Sequence, residues 1–301
     1  MPPRSRVIAI VNQKGGVGKT TTAVNLAASF AVSEHPTLLI DLDPQGNASS
    51  AYGVRDPETQ VYDALIGACV MKDATCATAL EHLHLVPSGP DLVGAEIELV
   101  TAEARERCLE RALADVRDLY DLILIDCPPS LGILTLNALT AADSVLIPLQ
   151  CEYYALEGLA RLTETVELVR SGLNPALELD GIVLTMFDRR NNLARQVETE
   201  VRAHFGDRVL QTTIPRNVRL SEAPSHGKPI LLYDLQSKGA LAYLELADEL
   251  LARLDVPAGG SAPPPLAAGA RASGSASASG FALPSRAHDA ESDAEDEGDE
   301  A

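Results

Sequence analysis

No stretch of the 301 residues approaches the roughly 18 consecutive apolar side chains that a membrane span needs, and residues 1–6 carry no apolar run of the secretory kind. A cytoplasmic protein is expected. Cysteine is sparse and dispersed: Cys69, Cys76, Cys108, Cys127 and Cys151 form neither a CxxC pair nor a Cys/His cluster, which argues against a disulfide framework, a zinc site or a cysteine-ligated cluster. They read as reduced, mostly buried thiols. Internal repeats are lacking, and so is any overall excess of base: the formal net charge is −19, which by itself points away from a nucleic-acid partner.

The distribution of that charge says more than its sum. Of residues 257–301, 31 are Ala, Gly, Ser or Pro, and eight acids between Asp289 and Glu300 stand against Arg271 and Arg286. Such a composition buries too little apolar surface to offset its ordering entropy, so 255–301 is expected to be a disordered, acidic tail. Residues 186–240 hold the opposite balance, nine Lys/Arg against six Asp/Glu. With 46% hydrophobic and 22% charged residues, the remaining chain has an ordinary globular composition.

Short apolar runs at 7–11, 37–41, 83–87, 122–126, 144–148, 181–185 and 209–214 alternate with helical patterns. In the helix expected at about 155–170, Leu156, Leu159, Leu162, Val166 and Val169 step by three and four and mark one buried stripe. Strands that are apolar throughout and alternate with helices predict an α/β fold, a doubly wound, mostly parallel sheet with helices on both faces. Residues 1–254 are read as one domain. Its last helix, about 239–254, carries Glu245, Asp248 and Glu249 against Arg253, so it lacks the basic face of an interfacial membrane anchor.

Directly after the first strand stands Asn12-Gln13-Lys14-Gly15-Gly16-Val17-Gly18-Lys19-Thr20-Thr21, and a helical pattern through Ala23, Leu26, Ala27 and Phe30 follows at once. Glycines let backbone N–H groups approach phosphate oxygens, and the helix start adds unsatisfied donors and a positive dipole end. Lys19 would bring charge to the β/γ-phosphates and the Thr20 hydroxyl would ligate Mg²⁺. The first glycine of the general P-loop pattern is replaced by Gln13, and a second lysine, Lys14, precedes Gly15. Asp43 lies just beyond the second strand, where a carboxylate can orient or deprotonate an attacking water. Asp41, at the strand end, would help hold a metal's water shell or simply the loop. Asp126 closes the apolar run 122–125 in the Walker B manner and would meet Mg²⁺ directly or through water.

These residues resemble the deviant Walker A motif of the ParA/MinD ATPases, together with Asp41-Leu42-Asp43-Pro44-Gln45-Gly46-Asn47 and Asp126-Cys127-Pro128-Pro129-Ser130. The stretches 150–158 and 214–229 narrow the likeness to the chromosomal ParA proteins called Soj. The resemblance covers about residues 5–254. It implies that ATP and Mg²⁺ bind Lys14, Gly15, Gly16, Val17, Gly18, Lys19, Thr20 and Thr21, with adenine near Met186, Pro215 and Asn217. Met186 and Phe187 read equally well as the end of a core strand. The metal set would be Thr20, Asp43 and Asp126, and the catalytic set Lys14, Lys19 and Asp43. Lys14 would reach the nucleotide of a second copy in an ATP-dependent sandwich homodimer.

The resemblance further implies non-specific double-stranded DNA binding by Arg190 and Arg219, release after hydrolysis stimulated by a ParB-type protein, and association with the nucleoid. From charge alone the basic stretch reads as scattered solvated residues, because Glu198, Glu200 and Glu222 interleave with it. Only about six residues precede the first strand, too few for the helix-turn-helix by which some relatives read an operator. Competing expectations are a MinD-like membrane-positioning ATPase, a small-molecule phosphotransferase and an inert scaffold that needs ATP to fold.

Overall fold

The computed structural model describes residues 5–256 and 262–265. The first half of the chain runs β1 (Arg6–Ile10), α1 (Lys19–Val32), β2 (Thr37–Asp41), α2 (Asn47–Ala51), α3 (Val61–Leu65), β3 (Cys76–Ala77), β4 (Leu83–Val86), α4 (Leu92–Glu98), α5 (Cys108–Ala112) and β5 (Leu122–Asp126). The second half runs α6 (Ile133–Ala141), β6 (Ser144–Gln150), α7 (Ala155–Gly172), β7 (Glu178–Phe187), α8 (Asn192–Phe205), β8 (Val209–Pro215), α9 (Val218–Glu222), α10 (Ile230–Tyr233) and α11 (Lys238–Arg253). The sheet order is β3-β4-β2-β5-β1-β6-β7-β8. All pairings are parallel except β3 with β4.

Alternation along each strand explains the two cores. Val7 and Ala9 of β1 face one apolar layer, covered by α6, α7 and α8, while Ile8 and Ile10 face the other, covered by α1 and α11. Both faces are buried, so the strands read as continuous apolar runs rather than alternating ones. The parallel doubly wound expectation holds. β6 and β7 extend beyond their apolar runs, and β6 does not stop at Pro148 as the pattern implies. A proline lacks only its own donor, and the β6–β7 register continues through Pro148↔Val183 to Gln150↔Thr185. The two-residue β3 has no periodic signal in the sequence. The tail expected at 255–301 lies outside the described residues except at 255, 256 and 262–265.

One buried histidine bears on stability. His84 of β4 pairs its Nδ1 with the Tyr120 hydroxyl at 2.8 Å, the two rings meeting edge to face at 5.6 Å. Burial pushes the His84 imidazole down to about 4. The unfolded chain therefore takes up this proton first, and stability present above pH 6.5 is lost as pH falls toward 4, by roughly 3 kcal/mol. Denaturant titrations at pH 7 and 4.5 are expected to show this drop, and His84→Leu should flatten it. An equal drop in His84→Leu would assign the loss to other groups.

Candidate functional site

The site forms where β1 lies between β5 and β6, so that connections leave it in opposite directions and open a crevice at the strand ends. Residues 11–18 turn there from β1 into α1. Gly16 (φ 76°) and Gly18 (φ 88°) adopt the left-handed region that disfavours a side chain. Gly18 is the N-cap and no side chain caps α1, so the first-turn N–H groups are left for a ligand. Three hydrogen bonds pin this loop. Asn12 Nδ2 donates to the Pro148 carbonyl at 2.7 Å, Asn12 Oδ1 accepts from Lys14 N at 2.9 Å, and Thr185 Oγ1 donates to the Val17 carbonyl at 2.7 Å.

A cavity of about 620 Å³ opens over the loop. Gly15, Gly16, Gly18, Lys19, Thr20 and Thr21 line one side, Asp43 and Gln45 another, and Met186, Pro215, Arg216 and Asn217 the far end. The structure thus brings together residues from opposite ends of the chain. Met186 lines the cavity, whereas Phe187 is buried in the core. Asn217 caps α9 through Oδ1, which accepts from Arg219 N at 2.8 Å, so its amide N–H₂ remains to donate elsewhere. A separate groove of about 500 Å³ between α7 and α8 is lined by Leu156, Ala160 and Phe205 among others and carries no glycine turn.

Two residues expected at the nucleotide do not line the cavity. The Val17 side chain is buried, so only its backbone is available. Lys14 is half-exposed on the outer side of the loop, where its Nζ pairs with Glu152; its carbonyl accepts from Lys19 Nζ at 3.0 Å. Burial lowers the Lys19 pKa, against the opposing charges of Asp126 and Asp43.

The carboxylates sort by their partners. Asp41 is fully buried and its Oδ2 accepts from both the N–H and the hydroxyl of Ser49, each at 2.7 Å, so it holds the loop. Asp43 lines the cavity with Oδ1 accepting from Gln45 N at 3.0 Å. Asp126 stands in register with Asp41 on β2 and Ile10 on β1. Both of its oxygens are buried without a hydrogen-bond partner among the described residues. Burial, then the nearby Asp41 charge, raises the Asp126 pKa well above the carboxylate range; Thr20 and Lys19 pull it back without completing a bond.

A buried carboxylate without partners is costly unless a cation meets it, and the Thr20 hydroxyl beside it completes a donor set of the kind Mg²⁺ takes. Among the described residues no three His, Cys, Asp or Glu converge as a metal cage. An ion held by one carboxylate, a hydroxyl, phosphate oxygens and water needs none.

Arg190 and Arg219 lie on the rim rather than in the cavity. Arg190 sits in the β7–α8 turn with its Nε and Nη2 each 3.0 Å from the Asp188 carboxylate, and Arg219 of α9 donates to Glu222 Oε2 at 2.9 Å. Arg189, Arg216, Lys228 and Lys238 make no ion pair among the described residues. Asn12, Thr185 and Tyr243 touch the loop or the cavity and Ser49 holds Asp41, yet sequence reasoning assigns them no role; Pro129, which the sequence places in a backbone-restricted loop that could sense the γ-phosphate, also lines the cavity. Asn12 and Ser49 stand beside motif residues and so carry a local signal. Thr185 and Tyr243 arrive from distant elements and carry none.

Fold and site together define a P-loop nucleotide-binding protein with the deviant, two-lysine Walker A turn. A family model described as an AAA domain matches residues 5–179. The chain is 58% identical over 250 residues to the chromosome partitioning protein ParA of Myxococcus xanthus, covering 82% of this chain and 88% of that protein. It is 57% identical over 249 residues to the sporulation initiation inhibitor protein Soj of Bacillus subtilis, covering 82% and 98%. A solved structure of cobyrinic acid a,c-diamide synthase from Mycobacterium smegmatis with bound ATP analog and magnesium superimposes with a TM-score of 0.74 at 38% identity, covering 87% of this chain and all of that one. The chain belongs to the ParA/Soj family of chromosome-partitioning ATPases.

Proposed function

We propose that this chain binds ATP with Mg²⁺ in the 620 Å³ cavity, pairs with a second copy while the triphosphate is intact, and in that state holds double-stranded DNA without reading its sequence. The observation that carries this reading is the division of labour between the two lysines. Lys19 is buried beneath the phosphate cradle, whereas Lys14, on the same turn, stands outside its own cavity at the surface. A cation so placed can serve a nucleotide in a facing copy, where it offsets the repulsion of two triphosphates and stabilises charge on the transferred phosphoryl. Thr20 and Asp126 would hold Mg²⁺, with Asp43 beside them; the ion would neutralise charge on the β- and γ-phosphates. Asn217 can donate to an acceptor on the adenine edge.

Hydrolysis then ends the paired state, and a ParB-type centromere-binding protein would accelerate it, releasing the chain from the nucleoid. Support for DNA as the anion comes from the relatives named for chromosome partitioning and from the rim arginines. Arg190 and Arg219 pair with Asp188, Glu222 and Asp234 but keep unshared N–H donors at the surface that phosphates can reach, and contact is expected to strengthen when two copies present their rims together. Filter retention of duplex DNA should require ATP rather than ADP and weaken steeply with salt. Arg190→Ala and Arg219→Ala should each lower the salt slope by about 1 for every phosphate the arginine would have neutralised. Equal retention with ADP and ATP would overturn the reading.

Two other readings make different demands. A membrane-positioning role needs a free amphipathic helix, but the apolar face of α11, through Ala240, Tyr243, Leu246 and Leu250, is buried against α1 and β8. Among the described residues no helix is long and apolar enough to cross a membrane. A small-molecule phosphotransferase has a metabolic parallel in the synthase name of the Mycobacterium smegmatis structure, and predicts turnover that rises with a metabolite rather than with DNA and ParB.

A further inference from the structure

If Asp43 directs the attacking water, as its place just beyond β2 leads one to expect, the water is directed only as well as the carboxylate is held. Asp43 lies in the loop between β2 and α2, one residue past the last interstrand bond, Leu42 N to the Asp126 carbonyl at 2.9 Å; its own N–H donates to Asp41 Oδ1 at 3.3 Å, so its position depends further on what grips its carbonyl. Besides the turn bond from Gly46 N at 2.9 Å, the Asp43 carbonyl accepts the Ser88 hydroxyl at 2.8 Å. Ser88 follows β4, the strand paired to β2 on the side away from β5. Its own N–H donates to Ser49 Oγ at 2.9 Å, and that hydroxyl donates to Asp41 Oδ2 at 2.7 Å. A chain of buried bonds thus ties the two aspartates of the motif to a residue 45 positions away.

Ser88 is in turn backed by a clamp. At Gly89 a Cβ would collide with Gln60 Oε1, so the glutamine side chain lies directly on the backbone. Gln60 Nε2 then donates to Asp91 Oδ2 at 2.8 Å on the far side of the same turn. Gln60 sits outside the cavity and Ser88 does not line it, so neither can touch nucleotide.

We propose that Ser88, backed by Gln60, is a positioning residue for hydrolysis: its hydroxyl holds the Asp43 backbone so that the carboxylate meets the attacking water, without contributing to nucleotide binding. This rests on the assignment of hydrolysis to Asp43. Alanine at 88 leaves the Asp43 carbonyl one remaining partner, Gly46 N, so the loop is loosened rather than unfolded. Misplacement of a catalytic group by about 1 Å costs on the order of 10²-fold in rate, and a partial loosening should cost about 10-fold.

The test compares Ser88→Ala, Ser88→Thr, Gln60→Ala and Asp43→Ala in the full chain. Ser88→Ala is expected to lower kcat for ATP by about 10-fold while affinity for a fluorescent ADP analogue changes less than twofold. In the nucleotide-free protein, amide exchange at Gln45 and Gly46 should accelerate, a readout independent of turnover. Ser88→Thr, which keeps the hydroxyl, should recover most of the rate. If Ser88→Ala does not fold, Gln60→Ala, which loosens the same turn from the other side, should produce the same loss in kcat alone. A kcat within twofold of the parent in the folded variant, or a fall in nucleotide affinity that matches the fall in kcat, would overturn the proposal. Asp43→Ala separates the two ideas: full turnover in that variant sinks the assignment of Asp43, whereas an inert Asp43→Ala beside a fully active Ser88→Ala sinks only the role of Ser88.

Discussion

Asp43→Ala is expected to lower steady-state ATP turnover by about 10²- to 10³-fold, the scale on which a positioned acid–base group contributes, while ATP-dependent pairing and DNA retention persist. The geometry separates the two effects. Asp43 lines the cavity and its Oδ1 is spent on Gln45 N, so the side chain is a boundary of the reaction space rather than a strut of the fold; the strut is Asp41, whose bonds to Ser49 remain. Removing a carboxylate also removes a repulsive charge near the triphosphate, so nucleotide affinity should hold or rise. Mass measured by light scattering with ATP and with ADP, alongside phosphate release, checks both halves. If the variant no longer pairs in ATP, Asp43 belongs to binding and the timing role fails.

Lys14→Ala carries the second large effect. The ammonium now pairs with Glu152, both side chains about half exposed, and an exposed pair of that kind contributes at most about 1 kcal/mol. Breaking it to form a contact across a dry interface therefore costs little. Once desolvated between two nucleotides, a charge whose partner is deleted is worth about 2–5 kcal/mol, which converts to dimerisation roughly 30- to 4000-fold weaker. Lys14→Ala should consequently remain monomeric in ATP at concentrations that pair the parent, yet bind ATP within a few-fold of it, because Lys14 does not line its own cavity. Glu152→Gln should leave pairing intact or slightly stronger. A Lys14→Ala chain that pairs normally would remove the physical basis for a triphosphate-dependent dimer.

Much of the site is legible in the sequence because it is local. Lys14 to Thr21 and Asp41 to Asn47 are contiguous, and the turn, helix start and strand end they imply follow from backbone sterics and unsatisfied donors within a few residues. The strands show for a similar reason: burial on both faces forces an unbroken apolar run, as at Leu122–Ile125. Their ends are less legible, since a ladder continues wherever a neighbour offers partners, and β6 passes through Pro148 because β7 runs beside it. The arginines illustrate a further limit. Composition marks a basic stretch, but whether Arg190 is a free cation depends on Asp188 lying within bonding distance, a matter of turn geometry.

The sequence by itself determined the order of every strand but the two-residue β3, the glycine turn with its two lysines, and the motif aspartates, because each rests on spacing along a covalent chain. Tertiary structure decided which aspartate is strut and which is boundary, that Lys14 faces out while Lys19 is buried, and that Ser88, Thr185 and Tyr243 support the motifs. The reason is that these assignments depend on which distant backbone reaches a given carboxylate or carbonyl. That is set by sheet order and register, quantities that pattern along one strand does not encode.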